Sequence, residues 1–206
     1  MIGIGLTGNV ASGKTTVADT WGEAGVRVID ADRLGHDVLR KDPAVKTALV
    51  EAFGEDILGA DGSIDRAALG ERAFASDEGV RRLNAIVHPP LLDRLRADLD
   101  RAEREGEPLA VVDAALIFEF GLDEDLDAVV LVTAPRALRA ERIRQERGLD
   151  DERIERIMAV QLPDAEKVAA SDYVIVNDGS LEELRAAADR VLAGIRSDFG
   201  PGTADT

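Results

Sequence analysis

Gly8-Asn9-Val10-Ala11-Ser12-Gly13-Lys14-Thr15 matches G-x-x-x-x-G-K-[ST] at every fixed position, and the chemistry of that pattern is phosphate binding. Glycines let the backbone turn its N–H groups inward, so that they can cradle phosphate oxygens. The helix that follows presents free N–H groups and the positive end of its dipole to the same anion. Lys14 then reaches the β- and γ-phosphates as a point charge, and the Thr15 hydroxyl suits Mg²⁺. Gly3, Gly5 and Gly8 overlap this match as G-x-G-x-x-G. That dinucleotide fingerprint needs a full strand before its first glycine, and only Met1 and Ile2 precede it here.

Asp30 and Asp32 follow the apolar pair Val28-Ile29. If the extended conformation continues, they share a side of the chain at the carboxyl end of a strand, where open α/β sheets bind ligands. A kinase needs a carboxylate there to orient an attacking hydroxyl and accept its proton. A helix cap near Arg33 explains the same residues equally well. Asp32-Arg33-Leu34-Gly35 also spells D-x-x-G, but no N-K-x-D guanine motif accompanies it. Asp113, after a third apolar run, has the alternatives of magnesium ligand and cap.

These groups need elements to hold them. Ile2 to Thr7, Val26 to Ile29, Leu109 to Val112, Ala128 to Val132 and Tyr173 to Val176 are short apolar runs that predict buried strands. Helical periodicity separates them, which predicts a parallel sheet of the α/β class. From about 34 to 104 no strand pattern stands out, and apolar residues recur at helical intervals. Turns are expected at Asp42-Pro43, Asp61-Gly62 and His88-Pro89-Pro90, so His88-Pro89 reads as a helix end. Arg136 to Arg156 reads as a charged helical pair hinged near Gly148, and Leu181 to Ile195 as a closing helix with Ser180 and Glu183 as its capping box. We therefore expect a nucleotide-binding core at 1–33 and 109–197 with a lid at about 136–165, a helical insertion at 34–108, and a flexible tail at 198–206.

The 206 residues carry a net charge of −16, which argues against a nucleic-acid partner. A polyphosphate ligand would have to be met by cations gathered locally. Lysine occurs only at 14, 41, 46 and 167, so arginine carries most of the positive charge, and its planar fork suits phosphate. There is no cysteine, no signal peptide and no apolar run approaching a membrane span. The expectation is a cytoplasmic protein without a membrane partner, and a monomer.

Several stretches, in order, resemble the dephospho-CoA kinase family. They are Thr7 to Thr16, Val28-Ile29-Asp30-Ala31-Asp32, Phe53-Gly54, Asp61-Gly62-Ser63-Ile64-Asp65-Arg66, Leu83-Asn84 with His88-Pro89, Ala115-Leu116-Ile117-Phe118-Glu119, Gln161-Leu162-Pro163 with Lys167, and Asp172 to Ile175 with Asn177-Asp178-Gly179. The resemblance spans roughly residues 2–195. It implies a P-loop NTPase core that transfers the ATP γ-phosphoryl group, with Mg²⁺, to the ribose 3′-hydroxyl of dephospho-CoA, the last step of CoA synthesis. By the same resemblance Asp32 is the catalytic base, and Lys14 and Arg142 join it in catalysis. Gly8, Ala11, Ser12, Gly13, Lys14, Thr15, Thr16, Arg147, Asn177 and Gly179 bind ATP, with Thr15 on magnesium. Arg66, Arg72, His88 and Glu119 join Asp32 in contacting the acceptor. Ala115 stands where the family has proline, and Arg139, Arg142, Arg144 and Arg147 crowd one helix, so the phosphate contacts among them stay open. Another small-molecule P-loop kinase, or a nucleotide-dependent binding switch, shares the loop without sharing the acceptor.

Overall fold

The computed structural model describes residues 1–159 and 161–200. Its contacts divide the chain into two compact units, one of residues 1–29 and 102–206 and the other of residues 30–101. Among the described residues, no helix is long and apolar enough to cross a membrane.

The first unit is built on a five-stranded sheet with order β2-β3-β1-β4-β5. Its strands are β1 (Ile2–Thr7), β2 (Arg27–Asp30), β3 (Leu109–Asp113), β4 (Ala128–Thr133) and β5 (Tyr173–Val176). The central strand β1 pairs in parallel with β3 and β4, and β4 in parallel with β5. Apolar runs predicted all five; β1, β3 and β4 are buried along most of their length, whereas the edge strands β2 and β5 are partly exposed. Gly3 and Gly5 lie inside β1, as their position predicts. One face of the sheet is covered by α1 (Lys14–Glu23) and α9 (Leu181–Phe199). Val17 and Trp21 from α1 meet Leu184, Ala188 and Leu192 from α9 over Ile4, Leu6, Val130 and Val132. The Trp21 indole N–H donates to the Ala188 carbonyl at 3.0 Å, so the single tryptophan is buried with its polar atom satisfied.

The capping box at Ser180 is formed. The Ser180 hydroxyl accepts from the Glu183 N–H at 3.2 Å, and the Glu183 carboxylate accepts from the Ser180 N–H at 2.7 Å. The expected flexible tail needs correction at its start, because α9 continues through Asp198 and Phe199. Residues 201–206 of that tail lie outside the described residues. The charged pair is α6 (Arg136–Arg147) and α7 (Asp151–Ala159), joined where Gly148 takes a left-handed φ of 62°. α8 (Asp164–Ala170) follows.

The second unit holds α2 (Ala31–Lys41), α3 (Pro43–Phe53), α4 (Arg66–Ala73) and most of α5 (Asp77–Arg104). Asp42 caps α3 by accepting from the Ala44 and Val45 N–H groups, with Pro43 at the first helical position. Asp65 caps α4 in the same way. Val38, Leu49, Ile57, Leu69 and Leu91 form its core.

The helix end expected at His88-Pro89 does not occur. α5 runs through Pro89 and Pro90 without a break. Proline removes an N–H and crowds the preceding turn, but Leu83, Ile86 and Val87 before the pair and Leu91 after it all pack into one apolar core. Burial on both sides outweighs the local penalty. His88 sits half-buried at this point, and burial pushes its imidazole pKa below the ordinary value.

Candidate phosphate-binding site

β1 ends at Thr7, and the loop from Gly8 to Gly13 leads into α1. Leu6 stands beside Asp113 across the β1–β3 register, so the β3 carboxylate lies next to the start of the loop. A Cβ on Gly8 would stand 2.5 Å from both the Ser12 hydroxyl and the Val132 carbonyl, so only glycine fits there. Gly13, the residue before α1, has φ 98°. Ala11 also has a positive φ, 59°, as the one non-glycine residue of this kind among the described residues. Such a conformation costs an L-residue about 1–2 kcal/mol and persists only where the surroundings hold it. The holding group is visible: the Arg142 guanidinium donates to the Ala11 carbonyl at 3.1 Å. Left-handed residues alternating with right-handed ones turn backbone N–H groups into an anion-binding concavity.

Charge is organised around this loop. Lys14 forms an ion pair with Asp113, and both side chains are largely buried. Asp113 thus faces the loop through Lys14. Arg142 also donates to the Asn177 side-chain oxygen at 3.2 Å. The Asn177 amide in turn donates to the Ser12 carbonyl at 2.8 Å. Asn177 thus braces the loop backbone, while Gly179 lies at the turn into α9, where a Cβ would meet the Glu183 carboxylate. The Ser12 hydroxyl is buried without a hydrogen-bond partner among the described residues. An orphaned donor inside an anion concavity fits a phosphate oxygen. Thr15 is exposed and Thr16 half-buried in the first turn of α1.

Mg²⁺ also suits the residues present. The Thr15 hydroxyl and the Asp113 carboxylate are hard oxygen donors, and among the described residues no cluster of three or more His, Cys, Asp or Glu forms a metal cage. An ion held by one or two protein oxygens, substrate phosphates and water matches the usual mode of Mg²⁺.

The crowded arginines of α6 separate by environment. Arg139 is 2% exposed, pairs with Asp164 and donates to the Ala134 carbonyl at 3.1 Å. Burial lowers its pKa, with Asp164 opposing. Arg144 is spent on Glu141 and Asp151. Arg142 lies on the loop, and Arg147 stands exposed at the helix end with no ion pair among the described residues. Ile143, Ile154 and Met158 pack with Val10 and Ala11, so the charged helical pair rests on the loop itself.

Residues 161–164 form a strap over the same loop. Gln161 accepts from the Val10 N–H at 2.8 Å, and Asn9 donates to the Leu162 carbonyl at 3.2 Å and the Asp164 carboxylate at 2.8 Å. Motif reading assigned no role to this strap, and its only signal was the Gln-Leu-Pro run of the family resemblance.

In the second unit the chain turns helical at Ala31, so β2 stops at Asp30 and Asp32 does not continue the extended strand as one expectation had it. Asp30 caps α2 by accepting from the Arg33 N–H at 2.8 Å, and Asp32 stands exposed in the first helical turn. Asp32 to Gly35, the D-x-x-G match, is helix throughout. Arg66 lines a cleft of about 600 Å³ with Arg33, His36 and Arg40. Arg33 and Arg66 form no ion pair among the described residues. Arg72 does not line it. Its fork donates to the Phe53 carbonyl and to Asp56, both at 2.6 Å, fastening α4 to the end of α3. Glu119, in the first unit, pairs with buried Lys167 at 2.9 Å.

The arrangement predicts a sharp penalty at Gly13. In Gly13→Ala the added methyl collides with the Asn177 amide at a φ that L-residues avoid. Misplacing a reacting group by about an ångström costs about 100-fold, and we expect a loss of that size in nucleotide turnover together with a lower melting temperature by circular dichroism.

Comparisons with known proteins point to a kinase family. Residues 2–183 match the family model for dephospho-CoA kinase (CoaE). A Corynebacterium glutamicum protein named dephospho-CoA kinase is 41% identical over 197 residues, covering 96% of this chain and 98% of its own. The crystal structure of TT1252 from Thermus thermophilus superposes with a TM-score of 0.81 at 36% identity, covering 94% of this chain and 97% of its own. A dephospho-CoA kinase from Campylobacter jejuni superposes with a TM-score of 0.71 at 26% identity, over 95% of this chain and 98% of its own.

Proposed function

The chain belongs to the dephospho-CoA kinase family, and from that premise we propose how its residues move the γ-phosphoryl group of ATP to the ribose 3′-hydroxyl of dephospho-CoA. The observation that carries the reading is the loop itself: Lys14 held by Asp113, Arg142 laid on Ala11 and Asn177, and the orphaned Ser12 hydroxyl inside a left-handed turn.

Phosphoryl transfer asks the protein for position and charge neutralisation more than covalent chemistry. The loop N–H groups, the Ser12 hydroxyl and the Lys14 ammonium receive the β- and γ-phosphates. Thr16 and Gly179 bind on the nucleotide side with Asn177. Thr15 and Asp113 would hold Mg²⁺, which when bound neutralises phosphate charge. Asp32 accepts the proton of the 3′-hydroxyl as the new O3′–P bond forms. The bond from the γ-phosphorus to its bridging oxygen breaks, and ADP leaves with that electron pair. Arg142 and Arg147 balance the charge on the transferred group and keep water away, because water would divert ATP to hydrolysis.

We assign the acceptor to the second unit. Dephospho-CoA carries a pyrophosphate, and the cleft gathers Arg33, His36, Arg40 and Arg66, beside the acidic Asp37 and Asp61. His88 lies in the same unit and stays a candidate contact. Arg72 and Glu119 are better explained as supports, since their charges are already engaged. We propose a monomer working in the cytoplasm.

The test is ADP release from ATP·Mg²⁺ with dephospho-CoA, adenosine, AMP or no acceptor. Stimulation by dephospho-CoA alone is expected. Stimulation by adenosine or AMP instead would make the chain another small-molecule kinase, and nucleotide binding without stimulation would make it a binding switch.

A further inference from the structure

Lys167 has no exposed surface at all, and lysine is almost never buried to that degree unless its charge is matched. Its ammonium donates to the Ala115 carbonyl at 3.1 Å and pairs with Glu119 at 2.9 Å. Each partner has a second bond. The Ala115 carbonyl also accepts from the Thr7 hydroxyl at 3.2 Å, at the last residue before the loop. The same Glu119 oxygen also accepts from the Leu162 N–H at 3.2 Å, within the strap that bonds Asn9 and Val10. The other Glu119 oxygen is buried without a partner among the described residues. One cation thus joins the end of β1, the turn after β3 and the strap, and those three segments enclose the start of the phosphate loop.

We infer that Lys167 is a positioning residue, whose buried ammonium fixes the phosphate loop by locking Thr7, through Ala115, and Leu162, through Glu119, in one arrangement. It touches no phosphate. It acts through the strap that holds the Asn9 side-chain amide and the Val10 N–H, so its loss is felt as weaker nucleotide binding as well as lower stability. The inference rests on the kinase reading of the loop.

Lys167→Met leaves Glu119 as a buried charge without its cation, which is strongly destabilising. The double variant Glu119→Gln/Lys167→Met removes that charge and keeps an acceptor for Leu162, so it separates stability from positioning. Melting temperature and ADP affinity by isothermal titration are measured for both variants and the parent. The expected result is a melting temperature that falls in Lys167→Met and recovers in the double variant, with ADP affinity weaker than the parent's in both, by about tenfold or more. A double variant whose affinity falls by less than that would overturn the inference and leave Lys167 a purely structural ion pair. If Lys167→Met does not fold, the double variant decides alone. A parent protein that binds no ADP would instead sink the reading of the loop, so the two failures are distinguishable.

Discussion

Lys14→Met lowers turnover by about 1,000-fold, the upper range for removing one preorganised charge donor from a developing anion. The ammonium is held beside the loop by Asp113 rather than left to wander in solvent, so its loss removes a positioned charge. The variant also leaves the largely buried Asp113 carboxylate without this cation, and a lower melting temperature accompanies the lost activity. The measurement is kcat from coupled ADP release on protein shown to be folded by circular dichroism. A kcat within tenfold of the parent would remove Lys14 from the chemistry.

Asp32→Asn is expected to cost between about 100- and 10,000-fold in kcat, the range for losing a positioned general base. The amide keeps the shape of the side chain and removes the proton acceptor. Asp32 is exposed in the first turn of α2 and does not cap the helix, a task that falls to Asp30, so the fold survives the change. KM for the acceptor stays near the parent value while kcat collapses. Parental turnover would pass the role to another carboxylate.

Local signals carried far through this chain where elements follow from local pattern. The parallel strands are short apolar runs, and all five are visible in the residues. The capping box at Ser180, the turn at Asp42-Pro43 and the hinge near Gly148 are local devices, and the structure has the capping box, a helix junction at Asp42-Pro43 and a left-handed joint at Gly148. The phosphate loop is legible for the same reason, since the whole motif lies within eight consecutive positions.

What stayed hidden depends on distant partners. Prolines 89 and 90 carry a local stop signal, and the apolar packing on either side of them overrides it. Gln161 meets Val10 across 151 residues, and Lys167 meets Ala115 across 52. No periodicity marks a lysine that will be buried. Arg139, Arg142, Arg144 and Arg147 of α6 have the same type and similar spacing. Only their three-dimensional neighbours separate buried Arg139, ion-paired Arg144, loop-bound Arg142 and exposed Arg147. Asp30 and Asp32 look interchangeable in the sequence, and it is the early start of α2 that makes Asp30 a cap.

The most direct test of the central claim is the position of the transferred phosphate. Parent enzyme, ATP·Mg²⁺ and dephospho-CoA are incubated, and the product is examined by ³¹P NMR and mass spectrometry beside measured ADP. The account predicts a new phosphate monoester on the ribose 3′-oxygen, formed in step with ADP. A phosphate at any other position, or ADP formed with unmodified dephospho-CoA, would contradict it.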